Sequence, residues 1–312
     1  MPRLASLLAP AVLAGVLLAC AREVPAPGAP VPAGAPAAPA AAPAESPATM
    51  VSTRRAFDRI MAVAADSGWA REQDFGLLVQ AVGRQLLRAP YVAGMLDAGE
   101  DETLVADLTA FDCVHYVENV LALARGIAVG DTSFATYLAN LEALRYRGGE
   151  MDGYCSRLHY FTDWIRDNER RGHVVDVTED AGGVRYAKTI DFMSTHRDSY
   201  PRLASDAVYA CVVDVERGLR DHALFYIPKA EIAEHYDALR PGDVIATATN
   251  IGGLDVTHTG FVYRTADGGT AFLNASLSGE VKIAPDLATY VQGVRAQTGI
   301  LVARPVDPRA AD

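Results

Sequence analysis

The apolar positions divide the chain into two textures. In the first half they recur at helical spacing over residues 54–65, 71–88, 134–145 and 158–170, and in a helix that opens at Asp112. A turn at Pro90 and Tyr91 closes the second of these. Beyond Gly172 the apolar residues alternate or run in short β-branched stretches: HVVDVT, GVRYAKT, VIATAT, HTGFVY, TAFLNAS and GEVKI. Clusters of Gly, Asp and Asn separate them. Helices followed by an antiparallel sheet, in place of alternating strand and helix units, predict an α+β fold.

The N-terminal part follows neither pattern. Residues 1–19, MPRLASLLAPAVLAGVLLA, have one basic residue, an apolar core too short to span a bilayer comfortably and small residues toward the end, which predicts an export signal. Its close, Leu17, Leu18, Ala19 and Cys20, resembles a bacterial lipoprotein signal, in which Cys20 would be acylated after cleavage. That implies a periplasmic protein anchored by lipid, and Ala21 after the cysteine makes the outer membrane the expectation. Plain secretion, with Cys20 a spare thiol, is the alternative. Residues 20–50 are mostly Ala and Pro, too poor in large apolar side chains to offset the entropy of ordering, and read as a disordered tether. Residues 51–312 have ample apolar content for one domain with a sizeable core. The formal charge of −11 becomes about −12 without Arg3, which argues against nucleic acid as a partner.

In FDCVHYVENVLALARG, Asp112 is a good N-cap, and Val114, Val117, Val120, Leu121 and Ala124 continue the apolar face that Cys113 begins. A thiol at a helix N-terminus meets exposed amide hydrogens and the positive end of the dipole, which favour the thiolate a nucleophile needs. Asp112 opposes this if its carboxylate points at the sulfur, and a small buried hydrophobe is the plainer reading of a cysteine. A cysteine nucleophile also needs a base and a group to orient that base. Of seven histidines, His173, His222 and His235 read as surface, His115 points away from Cys113 on the same helix, and nothing specific supports His196. His258, in GLDVTHTGFVYR, opens a strand after a Gly-rich loop, with Gly260 permitting close approach; Asn274 follows in TAFLNAS. A hairpin loop with an odd number of residues centred on Ala266 pairs His258 with Asn274. A two-residue Asp267-Gly268 turn would put Asn274 on the opposite face.

A second pattern, MDGYCSRLHYFTDWI, sets Cys155, Ser156, Arg157 and His159 in a row. Cys155 and His159 could be half a zinc site, but no second pair of suitable spacing follows, so no metal is expected. Arg157 beside Ser156 and His159 suits recognition of a carboxylate or carbonyl-rich ligand, against a solvated helix start as the bland reading. Export would permit a disulfide between Cys155 and Cys211.

FDCVHYVENVLALARG, YRGG, YCSRLHYFTDWI, FMSTH, GDVIATAT, GLDVTHTGF and LNAS, in this order, resemble the N-acetylmuramoyl-L-alanine amidase-like family, first catalogued as a domain of unknown function. It belongs to the NlpC-type branch of papain-like cysteine hydrolases. The resemblance implies a papain-like α+β fold and hydrolysis, without cofactor, of the amide between N-acetylmuramic acid and L-alanine in peptidoglycan fragments, notably 1,6-anhydro-muropeptides. By carry-over Cys113 would be the nucleophile, His258 the base and Asn274 its orienting group, with the oxyanion on the Cys113 backbone N–H. Asp112, Ser156, Arg157 and His159 would meet substrate. Asn274 stands where histidine is common in the family, and Met95 where a small polar residue is usual. The alternatives are a γ-D-glutamyl-diaminopimelate endopeptidase of the same superfamily and a lipoprotein that binds muropeptides without cutting them.

Overall fold

The computed structural model describes residues 47–310, apart from 73, 100 and 221. The predicted signal, Cys20 and most of the tether lie outside the described residues.

Helix α1 (Pro47–Ser67) starts within the stretch assigned to the tether, with proline at its first position, where a missing N–H costs no hydrogen bond. Four more long helices precede the sheet or interrupt it: α2 (Phe75–Arg84), α3 (Cys113–Ala128), α4 (Phe134–Arg145) and α5 (Phe161–Arg170). The strands are β1 (Val174–Asp176), β2 (Val184–Arg185), β3 (Phe225–Pro228), β4 (Val244–Thr249), β5 (Val256–Arg264), β6 (Thr270–Ser276), β7 (Glu280–Ala284) and β8 (Gln297–Pro305). Between them lie α6 (Phe192–Thr195), α7 (Asp206–Leu219) and α8 (Leu287–Gln292). The strand order is β2-β3-β8-β4-β5-β6-β7, with β1 also on β8, and the pairs are antiparallel. Helices plus an antiparallel sheet make the fold α+β, as the sequence predicts.

Helix starts follow the capping residues. Asp74, Ser133, Ser205 and Asp286 each accept a backbone N–H from the first turn of α2, α4, α7 and α8. Helix α5 begins at Phe161 and not at Leu158, because Arg157 bridges to Tyr146 as extended chain and Leu158 N–H bonds Arg145 O at 3.0 Å. Its own N-cap, Tyr160, has no side-chain acceptor to offer. Asp255 supplies one from the start of β5, accepting Thr162 N–H at 2.8 Å and Thr162 Oγ1–H at 2.9 Å.

The sheet is covered on both faces, and β4 is accordingly buried along its whole length. On one face Ala246, Phe261, Leu273, Ala275 and Leu301 pack with Val117, Val120 and Leu121 of α3. On the other, Ile245, Val262, Phe272 and Val302 pack with Leu287 and Val291 of α8. A third cluster, Tyr160, Phe192, Met193 and Val212, joins α5, α6 and α7. There a disulfide between Cys155 and Cys211 ties the turn before Arg157 to α7. Cys155 is therefore not one half of a zinc site with His159.

Candidate active site

Asp112 caps α3 through its Oδ1, which accepts His115 N–H at 2.8 Å. Cys113 follows as the first helical residue and keeps part of its surface open to solvent. Beneath it, His115 is fully buried. Asn119 Nδ2 and Arg145 Nη2, which can only donate, each lie 3.1 Å from His115 Nδ1. The hydrogen must therefore sit on Nε2, which donates to Asp107 O at 2.8 Å. Burial, then the Arg145 charge, pull the His115 pKa down from 6.5 to about 3. Arg145 itself is paired with Glu118 at 2.6 Å, both 1% exposed. His115 thus belongs to the foundation of the helix, facing away from the thiol, as its position on α3 predicts.

The Cys113 thiol differs from expectation. Withdrawal of water and then the Asp112 carboxylate push its pKa up from 9.0 to about 12, while hydrogen bonds from Thr259 and Val114 pull the other way. The dipole and free amides at the helix start are outweighed by burial first and by the acidic side chain of the capping residue second. Burial likewise raises the pKa of Asp112.

Strand β5 brings Thr259 to this point and carries His258 beside it. Thr259 Oγ1 donates to Cys113 O at 3.0 Å, so the cysteine is fastened to the residue next to His258. The ladder between β5 and β6 runs from Arg264 and Thr270 to Phe261 and Leu273, leaving a five-residue loop, 265–269. The odd loop length agrees with the expectation; its centre does not. It lies at Asp267, one residue further than Ala266, so the register continued by one step sets Asn274 opposite Gly260 and not opposite His258. The two share a face all the same, and His258 meets Asn274 diagonally. The distance from His258 Nε2 to Asn274 Oδ1 is 3.0 Å, with both residues fully buried. Asn274 Nδ2 donates to Phe272 O at 3.1 Å, which fixes the amide so that its oxygen faces the imidazole. Nε2 of His258 is then the protonated nitrogen, and Nδ1 is the basic one.

Gly260 is needed for this contact. A Cβ there would stand 2.8 Å from Asn274 Cβ, 2.7 Å from the Phe272 ring and 2.6 Å from Leu273 O. The Phe272 edge and the Tyr290 face complete the surroundings of the His258 ring, each centroid 5.8 Å away.

The second candidate segment is held by contacts with neighbouring protein groups. Arg157, 4% exposed, is engaged with protein groups and is not part of a solvated helix start. Its guanidinium bonds Asp97 and Leu96 O, lies 3.7 Å from Glu102 and covers the Tyr154 ring at 4.8 Å. It thereby holds the 3-10 turn Met95–Asp97. Ser156 Oγ closes its own turn, accepting Asp152 N–H and donating to Gly153 O at 2.8 Å each. His159 rests on Tyr154, with Nε2 2.8 Å from Tyr154 O, and burial followed by the Arg157 charge lower its pKa to about 3. His196 stacks on Phe192 at 4.0 Å, away from this arrangement. Among the described residues, no group of three or more His, Cys, Asp or Glu side chains could hold a metal ion.

Thr259, Asp255 and Tyr290 were missed by sequence reasoning. Thr259 could have been found as the alternate-face neighbour of His258 in THTG; nothing local marks the other two.

The cysteine at the start of α3 is fastened through Thr259 to the strand that carries His258, and the fold has solved relatives. An N-acetylmuramoyl-L-alanine amidase from Bacteroides uniformis ATCC 8492 is 34% identical, with a TM-score of 0.70, over 74% of this chain and 98% of that one. A Bacteroides fragilis protein, named provisionally as a xylanase, is 33% identical over 72% of this chain and 99% of that one, with a TM-score of 0.63. A Legionella pneumophila protein assigned to domain of unknown function 1460 is 20% identical over 83% of this chain and 97% of that one, with a TM-score of 0.63, and shows the fold alone. No curated protein matches the chain. The model of the N-acetylmuramoyl-L-alanine amidase-like family matches residues 81–300, and the chain belongs to that family.

Proposed function

We propose that this protein is a papain-like, NlpC-type cysteine amidase that cleaves the bond between N-acetylmuramic acid and L-alanine in peptidoglycan fragments, with 1,6-anhydro-muropeptides as substrates. The observation that carries this reading is the His258 to Asn274 pair, fixed in tautomer and joined through Thr259 to a cysteine at a helix N-terminus.

Burial raises the Cys113 pKa, so in this reading the thiol proton leaves as the sulfur attacks. His258 Nδ1 takes that proton while Sγ bonds the lactyl carbonyl carbon. The oxyanion falls to the Cys113 backbone N–H, one of the amides a helix start leaves without an internal partner. Nδ1 then protonates the alanine nitrogen, the C–N bond breaks and the peptide departs. Water attacks the thioester, His258 accepts its proton, and the thiol is restored. Asn274 keeps Nε2 protonated and the ring oriented throughout. Asp112 sets the start of the helix, and Ser156, Arg157 and His159 shape the wall along which substrate lies. Acylation of Cys20 would hold the domain at the outer membrane of the periplasm; loss of palmitate labelling in Cys20→Ala checks this.

The test is product analysis by mass after incubating wild type and Cys113→Ala with anhydro-muropeptides. The amidase releases intact stem peptide beginning with L-alanine, and the variant does not. Retention of L-Ala-D-Glu on the sugar would make it the endopeptidase instead. Binding without cleavage by either protein would favour a non-catalytic lipoprotein.

A further inference from the structure

We propose that Tyr290 is a positioning residue of this site, whose ring roofs the His258 imidazole and keeps water from the bond between Nε2 and Asn274 Oδ1. The inference rests on the assignment of His258 as the base. The Tyr290 ring lies 29° from parallel to that of His258, at 5.8 Å between centroids, and 4.9 Å from Phe272. Phe272 in turn meets His258 edge-on at 78° and takes the Asn274 amide hydrogen on its carbonyl. His258 and Asn274 are fully buried, whereas Tyr290 is only partly buried. The ring is therefore the layer between the pair and solvent.

The roof has its own footing. Tyr290 stands on α8, whose Leu287 and Val291 are buried in the sheet face. Tyr236 braces the helix start, donating its hydroxyl hydrogen to Asp286 Oδ2 and accepting Ala288 N–H, both at 2.8 Å. A ring held this way fixes the imidazole plane beside the Asn274 amide. A hydrogen bond between buried partners weakens when water can replace one of them.

A double-mutant cycle tests the proposal. Tyr290→Ala lowers kcat about tenfold with KM nearly unchanged, the loss expected when a hydrogen bond to a group that becomes charged is opened to water. Tyr290→Phe, which keeps the ring, recovers most of that loss. In an Asn274→Ala background, where the protected bond no longer exists, the same Tyr290→Ala change costs less than about twofold. In proton NMR, the His258 Nε2–H resonance exchanges with water faster in Tyr290→Ala than in wild type. Should the alanine variant not fold, Tyr290→Gln, which keeps length without an aromatic face, takes its place with the same expectations. Equal losses in both backgrounds, or a change confined to KM, would overturn the role of Tyr290. Full activity in His258→Ala would instead overturn the site assignment on which it rests.

Discussion

The buried histidine in the first turn of α3 makes stability depend on pH in a calculable way. His115 has a pKa of 6.5 when exposed and about 3 in the folded protein, because burial and then the Arg145 charge disfavour its cation, and its Nδ1 faces two donors besides. Below pH 6.5 the unfolded chain binds a proton that the folded chain refuses, so stability is complete above that value and drains away as pH falls toward 3. Between pH 7 and pH 5 linkage gives a loss of about 2 kcal/mol from this one residue, a large part of a typical domain's 5–15 kcal/mol or so. Carboxylates with raised pKa, Asp112, Glu118 and Asp255, act in the opposite sense, so a comparison of two proteins is needed. His115→Gln can donate to Asp107 O and accept from Arg145 without titrating. Urea unfolding at the two pH values should show wild type losing about 2 kcal/mol more than the variant. Parallel losses would mean that His115 is protonated in the fold, and the tautomer argument would fail.

Other expectations follow from single contacts. Gly260→Ala drives a methyl group into Asn274 and Phe272, and should lower kcat at least tenfold, with the chain still folded by circular dichroism. Removal of the Cys155 to Cys211 disulfide releases a loop of 56 residues and should cost about 4 kcal/mol by the chain-entropy relation, measured by urea unfolding with and without reductant. Asp255→Asn weakens the cap that α5 borrows, and should cost about 1–3 kcal/mol in the same assay. In His258→Ala the thiol at about 12 has no base, so iodoacetamide should alkylate Cys113 at pH 7 on the order of a hundredfold more slowly than a free cysteine. Alkylation as fast as that of a free thiol would show that the helix start activates the sulfur by itself.

The elements that could be read from sequence are those whose limits are local. VIATAT and TAFLNAS coincide with β4 and β6, and 134–145 with α4, because turn residues or a serine cap bound each of them. GVRYAKT yields only Val184 and Arg185, both exposed on the short edge strand β2. Five elements escaped: α6, α7, α8, β3 and β8. In β8 the run GILVA is buried on both faces, so alternation gives no signal, although this strand holds the middle of the sheet between β3 and β4. In α7 only Val212, Glu216 and Leu219 are buried, too narrow a stripe to stand out. Site residues obeyed the same division. The shared face of His258 and Asn274 depended only on the parity of a hairpin loop, which survives the one-residue shift of its centre. The cap from Asp255 crosses 93 residues of sequence, and the Tyr290 ring meets His258 only after α8 folds back on the sheet.

The raised thiol pKa changes what the helix contributes. A helix start that alone activated Cys113 would yield a thiolate in any environment and would need no histidine to attack. Here Asp112, which caps the helix, works against the thiolate, and the packing around the sulfur strips away part of its water. If Cys113 is the nucleophile, its activation depends on the docking of α3 against β5, where Thr259 bonds Cys113 O. On the proposed mechanism, control lies in the helix–strand junction, because a shift of α3 relative to β5 would alter the proton path without touching either reacting atom. Thr259→Val, which keeps shape but removes the bond to Cys113 O, should thus lower kcat more than it lowers stability.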